Sequence, residues 1–241
     1  MNHGHSACDR RSFLTLAGTG IAGIALAADV AGSGAVASAA ASPSMSASSP
    51  HEALAMLEAG NARFASGKPQ CGPLTARIAE LKSGQSPFAI VLGCSDSRVP
   101  IESVFDQMPG DLFVIRIAGN YVTDDGLGSI EYSVAALKSK LIMVLGHSSC
   151  GAVTAAVNYV KEGTTQPGHM QAFVKAIAPA ATAAKSSHGD WVANAIAENV
   201  RLNAQALKAR STIIADAVRS GQTQIVGARY DLNTGKVSIL S

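Results

Sequence analysis

Hydrophobic positions along the chain follow two periods. From residue 88, short and nearly unbroken apolar runs recur: FAIVLG (88–93), LFVIRIA (112–118) and LIMVLG (141–146). Runs of this length without polar alternation read as strands buried on both faces. Between and after them the spacing becomes helical. Ile130, Val134 and Leu137 mark one helix within GLGSIEYSVAALKSK, and GAVTAAVNYVKEG reads as another. Residues 170–220 are helical by composition, interrupted by KSSHGD, and TQIVGARYDLNTGKVSIL closes the chain as two strands around an Asn-Thr-Gly turn. Strands alternating with helices predict an α/β fold with a mostly parallel β-sheet flanked by helices. No internal repeat is visible.

Ahead of this region, Leu54, Leu57, Asn61 and Phe64 recur at helical spacing. Ser49 predicts the cap, Pro50 suits the first helical position, and Glu52 completes a capping box. Residues 67–86 carry Gly67, Pro69, Gly72, Pro73 and Gly84 around one short helical stretch, LTARIAELK, with Pro87 just beyond. The pattern predicts an N-terminal helical arm tethered loosely to the rest, packed either on a partner subunit or on its own domain.

The first fifty residues have a different composition. Arg10 and Arg11 precede Ser12, Phe13 and Leu14, then an apolar run to about Val30, then an Ala/Ser-rich stretch with small-residue sites such as Ala35-Val36-Ala37. This order describes an export signal, and the paired arginines resemble the twin-arginine type. Residues 1–40 are therefore expected to be a cleaved signal and 41–50 a linker, with the mature chain periplasmic or extracellular and in contact with a membrane only during export. The alternative is an uncleaved anchor, against which the run falls short of the ~20 apolar residues of a span and contains Gly18, Gly20 and Gly23.

Charge changes the picture little. Nineteen Lys and Arg against seventeen Asp and Glu give a net charge of +2 over 241 residues, without a basic stripe. That argues against nucleic acid as a partner. The four cysteines, Cys8, Cys71, Cys94 and Cys150, are too sparse for a disulfide-stapled domain.

The candidate chemistry lies where the apolar runs end. FAIVLG runs into Cys94, and LIMVLG into His147, with Cys150 three residues later at the start of a helix. GHSSCGA alone does not distinguish a metal site from a reactive thiol or a strand-to-helix turn. In a parallel sheet, however, ligands gather beyond the carboxyl ends of the strands, so Cys94 can join His147 and Cys150 there. Two thiolates and an imidazole make a three-ligand zinc set with a fourth position open. CSDSRVP also supplies Asp96 and Arg98. Because two thiolates offset the metal's charge, a carboxylate oriented by a guanidinium has a purpose as proton acceptor beside it.

CSDSR and GHSSC resemble the motifs of the β-class carbonic anhydrases, as do LEAGNARF, GDLFVIRIAGN, GSIEYSV and VGARYDLNTGKV around them. The resemblance covers about residues 51–241 and implies a β-carbonic anhydrase-like catalytic domain there. It implies one Zn²⁺ per chain held by Cys94, His147 and Cys150, and a catalytic dyad of Asp96 and Arg98. Asp96 is a possible fourth ligand in a closed state, Gly151 would offer its backbone near the substrate, and Gln107 would help place bicarbonate. The implied reaction is reversible hydration of carbon dioxide to bicarbonate and a proton through a zinc-bound hydroxide, in a homodimer or higher even oligomer. Three other readings stay open: a noncatalytic structural zinc protein, a disulfide-based oxidoreductase or thiol sensor, and a carbon disulfide or carbonyl sulfide hydrolase of the same fold. Cys71 reads as a bystander thiol, and His169 and His188 as surface histidines able to pass protons to buffer.

Overall fold

The computed structural model describes residues 46–70, 72 and 74–240. The expected export signal and Cys71 lie outside them. No helix among the described residues is long and apolar enough to cross a membrane.

Five strands form one sheet in the order β2-β1-β3-β4-β5: β1 (Ala89–Gly93), β2 (Leu112–Arg116), β3 (Leu141–His147), β4 (Gln224–Tyr230) and β5 (Val237–Leu240). The first four are parallel and β5 returns antiparallel to β4, so the expected mostly parallel sheet is present. Every residue of β1 and β3 is buried. Alternate side chains supply two cores. Ala89, Val91, Leu141, Met143 and Leu145 face Leu57 of α1 (Pro50–Ala65) and Val104 of α3 (Ile101–Val104). Ile90, Leu92, Ile142 and Val144 face α4 (Asp124–Ala135), α7 (Trp191–Arg210) and α8 (Thr212–Arg219) through Ile130, Val200 and Ile214. Two further helices, α5 (Gly151–Glu162) and α6 (Met170–Ala183), pack beside α7.

Two expectations need correction. The run LFVIRIA predicted a strand buried on both faces, yet β2 is the sheet edge and only half-buried, with Phe113 6.3 Å from the half-exposed ring of Tyr132. The tether is not loose where it is described. Asp106 accepts from Arg63 Nε at 2.5 Å and from the Gln70 amide at 2.8 Å, and Arg77 of α2 (Leu74–Glu80) reaches Asp111 at 3.2 Å and the Pro109 carbonyl at 3.3 Å.

The arm helix packs on its own domain. Asn61 is buried, donating to Val104 O at 3.0 Å and Gly235 O at 2.9 Å and accepting from the Val237 amide at 2.8 Å. The cap forms as expected at Ser49, whose Oγ accepts from the Glu52 amide. Glu52 itself reaches one residue further back, to the amide and hydroxyl of Ser48.

Candidate metal centre

The strand order reverses at β1, which has β2 on one side and β3 on the other. This is the switch point at which α/β sheets open a crevice. Cys94 follows the last residue of β1, and His147 is the last residue of β3. The Ser148–Ser149 turn then carries the chain to Cys150, the N-cap of α5. Ser149 adopts φ +54, left-handed backbone that a non-glycine residue takes at roughly 1–2 kcal/mol. Its carbonyl accepts from Arg98 Nη2 at 3.3 Å.

The donor atoms of Cys94, His147 and Cys150 lie within 4.8 Å of one another, and all three residues are buried. Both cysteines are free thiols. His147 Nδ1 lies 2.9 Å from Ser148 O; a carbonyl only accepts, so Nδ1 carries the hydrogen and Nε2 presents its lone pair. That buried Nε2 has no hydrogen-bond partner, an orphan that folded proteins rarely leave. Two sulfurs and an unpaired imidazole nitrogen fit a metal, and the soft S/N set suits zinc.

The thiols divide one proton unequally. Hydrogen bonding from Cys150 holds the Cys94 thiol far below its ordinary range, with His147 and the amides of Gly119 and Asp96 adding to it against the burial penalty. The same bond, then burial, pushes Cys150 up, although the Val153 and Ala152 amides at the start of α5 pull the other way. Burial works against charging the His147 ring, but the neighbouring Cys94 sulfur and the nearby Asp96 outweigh that and raise its proton affinity. Such a set readily exchanges its protons for a cation.

Asp96 and Arg98 stand beside this group on the loop after β1. Asp96 Oδ1 accepts from the Arg98 amide at 3.0 Å and Nε at 2.9 Å, and Oδ2 from Nη2 at 2.7 Å. The Arg98 side-chain bonds, more than any other cause, hold the Asp96 carboxyl well below the usual carboxylate range. Oδ2 also lies 3.8 Å from His147 Nε2, so the carboxylate faces the metal group while its guanidinium clamp remains half in solvent.

Other sequence candidates fall differently. Gly151 opens α5, exposed, with open space beside its Cα. Gln107 has no described contact with the group: its amide nitrogen is tied to Phe105 O at 2.8 Å, next to Gly60 of α1. His169 and His188 are exposed surface residues.

Two supporting residues escaped the sequence reading. Arg116, at the end of β2, donates to Cys94 O at 2.9 Å and Asp96 O at 2.6 Å, fixing ligand and carboxylate in one turn. Gly119 gives its amide to Cys94 Sγ at 3.2 Å. The only local signals are a charge ending an apolar run and a glycine beyond it.

Comparison with known proteins agrees with this geometry. The carbonic anhydrase family model matches residues 89–237, which contain both cysteines, the histidine and the Asp96–Arg98 pair. A carbonic anhydrase of Mycolicibacterium smegmatis is 40% identical over 195 residues, 80% of this chain and 95% of that protein. Carbonic anhydrase 2 of Mycobacterium tuberculosis is 39% identical over 188 residues, 78% of this chain and 91% of that protein. Among solved structures, the β-carbonic anhydrase of Coccomyxa in complex with acetazolamide superposes with a TM-score of 0.61 at 29% identity, covering 69% of this chain and 77% of that one. A parallel sheet with a Cys-His-Cys group at its switch point, and these matches across most of the chain, place it in the β-class of the carbonic anhydrase family.

Proposed function

We propose that the chain is a zinc-dependent carbonic anhydrase, interconverting carbon dioxide and water with bicarbonate and a proton. The observation that carries this reading is the convergence of Cys94, His147 and Cys150 beside a carboxylate held at both oxygens by Arg98. These three residues would hold Zn²⁺, with both cysteines as thiolates and His147 through Nε2. The metal would supply a Lewis acid that makes water a competent nucleophile toward carbon dioxide near neutral pH.

The chain's own residues do the rest. Arg98 keeps Asp96 ionised and directed at the group, so Oδ2 can accept a hydrogen bond or proton from the attacking water and fix its orientation. Arg116 holds the carbonyls on either side of the Cys94–Asp96 turn, so the carboxylate keeps its place relative to the ligand. Gly151, exposed at the start of α5, leaves room for a small substrate beside Cys150. Without Arg98, the Asp96 carboxylate beside His147 would be free to serve as a fourth ligand.

The assay for the dyad is Arg98→Ala. It should retain about one zinc per chain while hydration falls at least ~10²-fold, the scale of losing an electrostatic or proton-transfer group. X-ray absorption on the variant should show two sulfur, one nitrogen and one oxygen ligand. Near-parental activity would sink the dyad.

We further propose a homodimer or higher even oligomer. The support is the half-buried β2 edge, unpaired on its outer side beside the exposed Tyr132, a feature that soluble monomers usually cover. A monomer in sedimentation velocity at micromolar concentration would contradict it. The mature protein is proposed to act outside the cytoplasm after twin-arginine export.

A further inference from the structure

Asn199 lies on α7 at 1% exposure, remote in sequence from every residue of the metal centre. Its side-chain nitrogen donates to Gly119 O at 2.8 Å, and the Gly119 amide donates to Cys94 Sγ at 3.2 Å. The glycine is favoured on two counts. Its φ is +81, and a Cβ there would meet Ile177 Cδ1 at 2.3 Å. That freedom also means Gly119 has no intrinsic preference for the angle that points its amide at sulfur.

α7 supplies the missing constraint. Asn199, Asn203 and Arg210 share one face at helical spacing, and all three grip the loop after β2. Asn203 Oδ1 accepts from the Val122 amide at 2.8 Å, and its nitrogen braces Asn199 O at 2.8 Å and Oδ1 at 3.0 Å. Arg210 Nη1 donates to Val122 O at 2.7 Å. Neighbouring α7 residues Val200 and Leu207 are fully buried in the apolar core. A polar stripe within that apolar surface has a specific job, and the job is the loop.

We propose that Asn199 is a positioning residue that acts through Gly119 to hold one backbone N–H on the Cys94 sulfur, limiting how much charge that sulfur gives the metal. A thiolate that accepts a hydrogen bond is a weaker electron donor, which leaves the metal a stronger Lewis acid. With Asn199 cut back, the Gly119 carbonyl is orphaned in a buried site, the glycine turns to find another donor, and its amide leaves the sulfur. The inference rests on the zinc reading above.

Cobalt(II)-substituted protein tests it, because the thiolate-to-cobalt charge-transfer band reports sulfur donation directly. Asn199→Ala should move the band to longer wavelength, the direction of stronger sulfur donation. Asn203→Ala, which removes the brace on Asn199 and the bond to the Val122 amide but leaves the Asn199–Gly119 bond its donor, should shift the band in the same direction by less, and it carries the test if Asn199→Ala does not fold. Leu57→Ala, on α1 across the sheet, controls for general loosening and should leave the band in place. A parental band that neither asparagine variant moves, or that Leu57→Ala moves equally, overturns this inference alone. A parent that takes up cobalt without any such band overturns the metal reading and the inference with it.

Discussion

Cys94, His147 and Cys150 were legible residue by residue because each ends or follows an apolar strand run, and strand ends of a parallel sheet converge. Asp96 and Arg98 were legible for the same reason, sharing a short loop with Cys94. Gly119 and Asn199 were not. Their contribution passes through a backbone amide and a carbonyl, whose partners no residue type announces. For Gln107 the sequence did not show its local partner, the Phe105 carbonyl that accepts from its amide nitrogen. At this scale the ligand assignment is exposed to a direct check. Cys94→Ala or His147→Ala should lose most bound zinc by metal analysis, since three ligands leave none to spare. Cys71→Ala should keep both metal and activity, and loss of zinc on that substitution would overturn the assignment.

Most element types and their order were readable from periodicity and composition, from the capped arm helix to the closing hairpin, but α3 and the break between α7 and α8 were not. What periodicity could not give was each element's surroundings. An apolar run looks the same at the centre of a sheet as at its edge, which is why β2 read as buried. Nor could helical spacing show how closely α1 approaches its domain. At Gly60 a Cβ would stand 1.8 Å from the Phe105 carbonyl oxygen and 2.9 Å from Gln107 Nε2. Alanine favours a helix over glycine by ~1 kcal/mol, so propensity alone makes Gly60→Ala stabilising. The close approach reverses the sign: the substitution should destabilise by about 1–3 kcal/mol, as overpacking does, and lower the urea midpoint. A raised midpoint would mean that α1 sits farther from α3 than the structure places it.

For the whole molecule, the sheet places the metal group, the carboxylate clamp and the α7 relay at one end, where four separate stretches of chain meet. Only the folded sheet brings the candidate ligands together, because no pair of them other than His147 and Cys150 is close in sequence. A twin-arginine route, which carries folded proteins, suits such a site. Arg10→Lys with Arg11→Lys should leave active, zinc-loaded protein in the cytoplasm. An unchanged extracytoplasmic fraction would count against that route, and a mature N-terminus that retains Leu14–Val30 would favour an anchor.

The central claim is that this fold hydrates carbon dioxide through one metal held by Cys94, His147 and Cys150. The most direct measurement is stopped-flow carbon dioxide hydration at alkaline pH by chelator-stripped protein titrated with zinc. Activity should start near the uncatalysed rate, rise linearly, and break sharply at one zinc per chain. Zinc uptake to one equivalent with no hydration would make the metal structural, and full activity in the stripped protein would remove it from the reaction altogether.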